Sequence, residues 1–256
     1  MLDLVGLEER IALGLRTLPI TEEQWERDHD PIVTENLPRL SEMVRASRHA
    51  PSGPILDIGL GYGYSASALR SAYGGRPLVA LEHPSRELTR RPIWSTLLRA
   101  VDAVGVAADA LSLPFREGSF GVVAACEIVE HISPADAPRL VAEAARVLQP
   151  GGILVLTTPN LVSLSNRLLI ATGRSPLSMP TERTGCVFGH LREYTTEEIR
   201  GLMAWSGLDG IGTSTVPRPV QGGAWHQRTV RKVESLLWRA GTRRVGGFIV
   251  AWGRKP

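Results

Sequence analysis

Short apolar runs alternate with helix-like segments from residue 54 to the end of the chain. Seven runs predict strands, at residues 54–59, 77–81, 103–107, 120–125, 152–158, 208–216 and 246–252. Apolar runs without polar alternation indicate strands covered on both faces, as in a parallel sheet between two layers of helices. The alternation of strands and helices therefore predicts an open α/β sheet that binds its ligand at the carboxyl ends of the strands.

The sequence also indicates where two of the later helices begin and end. Ser133 is a predicted N-cap with Pro134 at the first helical position, and residues 149–152 end that helix before the fifth strand. Residues 195–198, Thr-Thr-Glu-Glu, have the spacing of a capping box. They open a predicted helix that ends near Gly207.

Two segments lie outside this alternating pattern. Residues 1–50 are predicted to form an N-terminal helical cap in front of the main domain, residues 51–256, with helices over 8–18, 22–28 and 33–45. Residues 160–192 are rich in Gly, Pro, Ser and Thr and have no clear periodicity, which is typical of a substrate lid. We expect the cap and this lid insertion to form the acceptor pocket.

Composition narrows the class of protein. The chain has 256 residues, of which 43% are hydrophobic and 21% charged, which excludes wholesale disorder and fibrous classes. No apolar run approaches the ~20 residues of a membrane span, and the N-terminal residues are too acidic for a signal peptide. Two cysteines cannot form a disulfide framework or a four-thiolate zinc site. A soluble, cytoplasmic protein is expected.

Charge is unevenly distributed along the chain. Residues 217–256 contain nine Lys or Arg and one acidic residue, whereas the whole chain has a net charge of only +3. The basic segment, residues 217–245, reads as an amphipathic helix with Trp that could lie on an anionic membrane surface. It could equally cover the sheet, contact a polyanionic substrate or be simply solvated. No recognisable RNA-binding motif accompanies it, so nucleic acid is an unlikely partner.

A glycine-rich loop follows the first predicted strand. Gly59, Gly61 and Gly63 have the spacing Gly-x-Gly-x-Gly, with Asp57 two positions before the first glycine. Glycines in a strand–helix turn let the backbone approach a ligand closely, although such a loop also occurs as a purely structural turn. Tyr64 stands where a dinucleotide fingerprint would have its third small residue.

Two carboxylates follow the next two predicted strands. Glu82 comes about 20 residues after the loop, where a carboxylate can accept both hydroxyls of a ribose. Asp109, beyond the third strand, could accept from an adenine amino group. Together with the glycine loop, these side chains indicate a nucleoside-binding site.

At these positions the sequence resembles the class I S-adenosylmethionine-dependent methyltransferases. The resemblance covers about residues 50–215 and rests on four motifs in order: residues 55–63, Glu82, Asp109–Ala110 before 113–115, and 146–152. It implies a Rossmann-like, seven-stranded, mostly parallel sheet with helices on both faces, and S-adenosylmethionine as the cofactor. It implies cofactor-binding roles for Asp57, Gly59, Gly61, Gly63, Glu82, Asp109, Ala110, Cys126 and Glu127. The family usually has Phe-Asp where this chain has Phe120–Gly121, and we expect a local change in packing there.

Candidate residues for the chemistry follow the fourth strand. His131 suits a general base at neutral pH, and His190 completes a candidate catalytic pair. Alternatively, Glu127, Glu130, His131 and His190 would bind a divalent metal such as Mg²⁺, which would lower the pKa of the attacking oxygen. The Glu-x-x-Glu-His pattern resembles the quinone-biosynthesis type of O-methyltransferase and the small-RNA terminal 2′-O-methyltransferases, which use a metal. A structural role beside the cofactor is the third interpretation.

The sequence thus predicts methyl transfer to an oxygen, less readily to nitrogen or carbon, of a small-molecule acceptor. Candidate acceptors are a quinone precursor, a sugar or glycolipid, or a specialised metabolite. One alternative is an RNA 2′-O-methyltransferase, whose affinity for its acceptor would fall steeply with salt. The other is a module that binds S-adenosylmethionine without catalysis.

Overall fold

The computed structural model describes residues 5–19, 36–86, 89, 92–176, 190–218, 225–242 and 244–256. Its strands form one sheet in the order β3-β2-β1-β4-β5-β7-β6. Their bounds are β1 Ile55–Ile58, β2 Leu78–Glu82, β3 Val104–Ala107, β4 Phe120–Cys126, β5 Leu148–Pro159, β6 Asp209–Val216 and β7 Phe248–Arg254. Strands β1 to β5 pair in parallel, and β7 runs antiparallel between β5 and β6. The predicted seven-stranded, mostly parallel, Rossmann-like sheet is confirmed.

Helices connect the strands and precede them. Their bounds are α1 Leu7–Arg16, α2 36–47, α3 Tyr64–Tyr73, α4 Pro92–Ala100, α5 Ala137–Val147, α6 Leu164–Ala171, α7 Thr196–Trp205 and α8 Trp225–Arg239, with a short 3₁₀ turn at Val129–His131. Thr195 and Glu198 form the predicted capping box at the start of α7, with hydrogen bonds in both directions.

The sheet places a crevice at its centre. Strand β1 lies between β2 and β4, so the connections leave it in opposite directions. In open α/β sheets, ligands bind at the carboxyl ends of the strands at such a switch point. Strand β4 is buried along its whole length, whereas Val104 on the edge strand β3 is 66% exposed. The floor of the crevice is therefore formed by strands, such as β4, whose residues are all buried.

The N-terminal helices share a hydrophobic core with one face of the sheet. Leu7, Ile11 and Leu15 of α1 and Leu40 and Met43 of α2 are buried in the cluster that also contains β1 and α3 side chains. Their burial follows the helical spacing seen in the sequence, since residues three and four apart lie on one face. The helical cap is therefore packed directly on the main domain.

Helix α5 begins later than the sequence predicts. Its first residue is Ala137, not Pro134, although Ala137 donates its backbone N–H to the Ser133 carbonyl at 3.0 Å. Pro138 has no N–H and cannot make the next helical hydrogen bond, which interrupts the first turn. Ser133 still makes the hydrogen bond of an N-cap, because its hydroxyl accepts from the Asp136 N–H at 3.2 Å, and it also donates to the Asp136 carboxylate at 2.7 Å. Strand β5 also begins early, at Leu148, with an irregular register opposite Phe120.

Gly121 gives space to the partly buried side chain of Arg76. A Cβ at this position would lie 2.6 Å from the Pro51 carbonyl oxygen and 2.7 Å from Arg76 Nη2. Arg76 donates to the carbonyls of Pro51 and Gly53 at 3.0 and 2.7 Å. The packing at the start of β4 is thus built around an arginine that a larger residue at 121 would displace.

Several predicted segments lie partly outside the described residues. The predicted helix 22–28 lies wholly outside them, and so do residues 177–189 of the lid insertion. The described part of that insertion forms helix α6 and the approach to α7. Within the described ranges, no helix is both long and apolar enough to cross a lipid bilayer.

Candidate functional site

A cavity of about 600 Å³ opens at the carboxyl ends of the central strands. Eight of the residues singled out in the sequence line it: Gly59, Gly61, Glu82, Asp109, Ala110, Cys126, Glu127 and His131. They come from the ends of four neighbouring strands, which the parallel pairing brings to one edge of the sheet. A cavity of this volume falls within the range of small-molecule sites.

The glycine loop between β1 and α3 has a backbone that only glycine adopts easily. Gly59, Gly61 and Gly63 have φ angles of 82°, 50° and 83°. At Gly59 a Cβ would also lie 2.1 Å from Ile128 Cδ1, so the loop and the end of β4 approach each other closely. Gly63 does not line the cavity; it is the N-cap residue of α3.

Asp57 supports the loop from behind. It is fully buried, does not line the cavity, and its Oδ2 accepts a hydrogen bond from the Ser65 hydroxyl at 2.8 Å. Burial raises the pKa of Asp57 to about 7, with a smaller contribution from the negative charge of Glu82. Asp57 thus supports the start of α3 through Ser65, and its predicted role toward the cofactor stays a prediction.

Glu82 holds the loop and faces the cavity. The carboxylate is 4% exposed and accepts from the backbone N–H of Gly61 at 3.0 Å and of His83 at 2.9 Å. Arg86 Nε lies 3.8 Å from its Oε1. A carboxylate has about four acceptor positions, so Glu82 keeps the capacity to accept from a ribose as well.

Asp109 lies on the opposite wall, after β3. Its Oδ1 accepts from the backbone N–H of Leu111 at 2.8 Å, an Asx turn that fixes the side chain, and Ala110 lines the cavity beside it. The predicted adenine-binding and ribose-binding carboxylates thus belong to the same cavity. Their roles toward a nucleoside remain predictions.

Arg39 and Glu127 form an ion pair at the end of β4. Arg39 was not singled out from the sequence. Arg39 of α2 is 6% exposed, lines the cavity, and places Nη1 3.3 Å from Glu127 Oε1. The Thr157 hydroxyl donates to the same Glu127 oxygen at 2.9 Å and accepts from Arg39 at 3.0 Å. Glu127 has a φ of 55°, a strained value for a non-glycine residue. This backbone conformation places the carboxylate beside Arg39.

Cys126 is a small apolar side chain of the cavity wall. Its Sγ lies 3.2 Å from Met43 Sδ, and burial raises the pKa of its thiol to about 12. A thiol that stays protonated is a poor nucleophile. Cys186 lies outside the described residues.

Three of the four predicted metal ligands come together. Potential ligand atoms of Glu130, His131 and His190 lie within 4.8 Å of one another, and the two imidazole rings stack edge-to-face at 5.1 Å. Glu127 is not a member of this group, because its side chain is directed to Arg39 and Thr157. This geometry thus does not support Glu127 as a fourth ligand, which stays a prediction.

Glu130 is a buried carboxyl with an unused oxygen. Its Oε2 accepts from the Thr158 hydroxyl at 2.9 Å, whereas Oε1 is buried and has no hydrogen-bond partner among the described residues. Burial, and then the charge of Glu127, raise the pKa of Glu130 well above its usual range. Its backbone carbonyl accepts from Leu191 N–H at 2.8 Å, which joins the segment after His190 to the 3₁₀ turn.

A buried glutamate orients His190. Glu193 is 1% exposed, and its Oε1 lies 3.3 Å from His190 Nδ1. Its other oxygen accepts from Asn166 Nδ2, on helix α6, at 3.2 Å. A carboxylate at Nδ1 favours the tautomer with its proton there, which leaves Nε2 as the basic or metal-binding nitrogen. Neither Glu193 nor Asn166 was singled out from the sequence.

Comparison with known proteins finds methyltransferases. Residues 56–156 match a protein-family model described as a methyltransferase domain. The chain resembles a Thermotoga maritima S-adenosylmethionine-dependent methyltransferase, described as a possible histamine N-methyltransferase, with a TM-score of 0.57 at 19% identity, over 91% of this chain and 99% of that one. Residues 56–156 thus match a methyltransferase domain, and the fold is shared with an S-adenosylmethionine-dependent methyltransferase of known structure.

Curated relatives include enzymes with different acceptors. A probable S-adenosylmethionine-dependent methyltransferase of Mycolicibacterium smegmatis is 26% identical over 77% of this chain. A sarcosine/dimethylglycine N-methyltransferase of Halorhodospira halochloris is 33% identical over 52%, and the chloroplastic tocopherol O-methyltransferase of Arabidopsis thaliana is 31% identical over 41%. The matches span 64%, 47% and 29% of these relatives' own lengths. The domain is thus common to them, and the acceptor differs among them.

Proposed function

We propose that this protein transfers a methyl group from S-adenosylmethionine to an oxygen of a small-molecule acceptor. The observation that carries the proposal is the position of His131, which lines the same cavity as the glycine loop and Glu82 and has His190 beside it. Methyl transfer is an in-line displacement in which the cofactor supplies the reactivity. The acceptor oxygen attacks the methyl carbon, the bond to sulfur breaks, and the hydroxyl proton must go to a base.

The charged groups of the cavity match the parts of the cofactor. Glu82 would accept from the ribose hydroxyls and Asp109 from the adenine amino group. The amino-acid end of S-adenosylmethionine is a zwitterion, and the Arg39–Glu127 ion pair offers one opposite charge for each of its charges. The buried Nε of Arg39, which has no partner among the described residues, is a further donor for a carboxylate.

Arg39→Met is expected to weaken binding of S-adenosylhomocysteine by about 10- to 100-fold, because a charged hydrogen bond is worth roughly 1.5–3 kcal/mol. Calorimetry with 5′-methylthioadenosine supplies the control, since this ligand lacks the amino-acid end and should bind the variant normally. Equal losses for both ligands would indicate a general disruption of the cavity and contradict the assigned contact.

His131 and His190 are proposed to remove the acceptor proton, with Glu193 as a positioning residue. Glu193→Gln would remove the carboxylate that holds His190 Nδ1. We expect kcat to fall by about 10- to 100-fold while KM for the cofactor does not change, because the histidine loses its fixed orientation. Glu193→Asp should restore much of kcat. A purely structural role would lower the yield of folded protein and leave kcat per folded molecule unchanged.

Glu130, His131 and His190 also fit a divalent metal. Two imidazoles and a carboxylate with an unused oxygen form a donor set that favours a transition metal over Mg²⁺. When bound, such an ion would lower the pKa of the acceptor hydroxyl. In that case Glu193 would orient a metal-binding histidine.

A methyl-transfer screen tests the proposal. Deuterated S-adenosylmethionine would be incubated with phenols, sugars, lipids and RNA, with and without a chelator, and products detected by mass spectrometry. Label on the oxygen of a small molecule is the expected result. Label only on RNA, with salt-sensitive affinity, would favour the RNA alternative. Cofactor binding without label in any product would favour a non-catalytic module. Full activity in excess chelator would exclude a metal.

A further inference from the structure

Helices α6 and α8 are joined by a buried carboxylate. Glu234 of α8 is fully buried, and its Oε1 accepts from the backbone N–H of Ser165 at 2.9 Å and from the Ser165 hydroxyl at 3.0 Å. This contact satisfies the first turn of α6, where backbone N–H groups have no helical partner. Glu234 is the single acidic residue among residues 217–256. Because it is buried, it contributes no negative charge to the surface.

Helices α6 and α8 both expose aliphatic side chains. Val233 and Leu236 of α8 are 41% and 63% exposed, and Leu168 and Ile170 of α6 are 44% and 56% exposed. They make up four of the ten large apolar residues exposed in the described part of the chain. Lys232, Val233, Leu236 and Arg239 are all exposed and follow the i, i+1, i+4, i+7 spacing of one helix face.

The same two parts of the chain also expose basic side chains. Arg167 and Arg174, in and after α6, and Lys232, Arg239 and Arg244 are exposed. Residues 161–176 contain no acidic residue, and residues 217–256 contain only the buried Glu234. The charges that these two parts of the chain contribute to the described surface are thus all positive.

We propose that one face of α6 and α8, named the α6–α8 face and defined by Leu168, Lys232, Val233, Leu236 and Arg239, binds the surface of an anionic lipid bilayer. Aliphatic side chains would enter the boundary between headgroups and acyl chains, and the basic side chains would contact anionic headgroups. The charge of the face complements such a surface.

Two other occupants fit the face less well. Single-stranded RNA would need exposed aromatic rings for stacking, and the large exposed apolar residues described on α6 and α8 are all aliphatic. A second copy of the chain, related by a two-fold axis, would bring like charges together. Of these three occupants, only an anionic bilayer makes favourable contacts with both the aliphatic and the basic residues.

The proposed bilayer binding does not depend on methyl transfer. The helix that would contact the bilayer also contacts the part of the site assigned to the acceptor. Helix α6 begins shortly after the carboxyl end of β5, and its Asn166 bonds the glutamate that orients His190. A bound bilayer would therefore lie on a helix that directly contacts the acceptor side of the site.

Co-sedimentation of the full chain with vesicles tests this proposal. We expect binding to vesicles that contain phosphatidylglycerol and much weaker binding to pure phosphatidylcholine. Leu236→Ser should lower the partition coefficient roughly tenfold, and Lys232→Gln with Arg239→Gln about fivefold per charge. Leu13→Ser is the matched control, because Leu13 is 64% exposed on α1, beside acidic Glu9, and should have no effect.

Thermal unfolding of each variant would confirm that it folds, which is expected because the altered side chains are exposed. Equal binding to both kinds of vesicle, or equal losses for Leu236→Ser and Leu13→Ser, would overturn the proposal. So would wild-type protein that binds RNA but no vesicle, or a dimer that Leu236→Ser dissociates. None of these results requires turnover, so they are distinct from failure of the proposed methyl transfer.

Discussion

Glu82→Ala is expected to weaken binding of S-adenosylhomocysteine by about 30- to 150-fold, which corresponds to about 2–3 kcal/mol. The carboxylate is 4% exposed and already accepts from the N–H of Gly61. The substitution would therefore remove the proposed ribose acceptor and a contact that fixes the glycine loop. Both effects act on the nucleoside, so binding of 5′-methylthioadenosine should weaken to the same extent.

Calorimetry with both ligands separates this variant from Arg39→Met, for which only the ligand with an amino-acid end should bind more weakly. Glu117→Ala is a suitable control, since Glu117 is an exposed glutamate paired with Lys255 away from the cavity. Unchanged affinity of Glu82→Ala for both ligands would disprove the ribose contact.

His131→Ala is expected to lower kcat by about 10²- to 10⁴-fold for the acceptor found in the screen, as is usual when a general base is removed. Affinity for S-adenosylhomocysteine should change little, because the nucleoside contacts are assigned to the glycine loop, Glu82 and Asp109. His49→Ala is the matched control, since His49 is exposed at the end of the second helix and does not line the cavity.

Metal analysis of the same variant distinguishes the two ways in which His131 would act. Loss of a bound transition metal together with activity would assign the histidine to metal binding, whereas loss of activity in a protein that binds no metal would assign it to proton removal. A kcat equal to that of the wild type would leave alignment of the two substrates as the whole mechanism and would contradict the proposed role.

The cofactor end of the site could be predicted because its signals are local in sequence. Apolar runs predict the strands, and glycines or carboxylates directly after them must lie at the carboxyl edge of a parallel sheet. Glu82 and Asp109 line the same cavity for this reason. The sequence alone did not place Asp57, because an acidic residue inside a strand can face the ligand or brace the loop, and here it bonds Ser65.

The remaining site depends on contacts between distant segments. Arg39 lies on a helix before the first strand, and its position beside Glu127 follows from the packing of α2 on the sheet, which no local pattern specifies. Local spacing groups Glu127 with Glu130 and His131, whereas in the structure the Glu127 carboxylate pairs with Arg39 and Thr157. Glu193 carries a weak signal only: an acidic residue three positions after a candidate histidine. Pro138 explains the late start of α5, since a proline one turn into a helix removes a hydrogen bond.

The assigned contacts all require that a sulfonium nucleoside binds in the cavity at the carboxyl ends of β1, β2, β3 and β4. A crystal structure with S-adenosylhomocysteine tests it most directly. The ribose hydroxyls should lie within hydrogen-bond distance of Glu82, the adenine beside Asp109, and the amino-acid carboxylate beside Arg39. A ligand found elsewhere on the protein, or a cavity left empty at saturating ligand, would contradict the account.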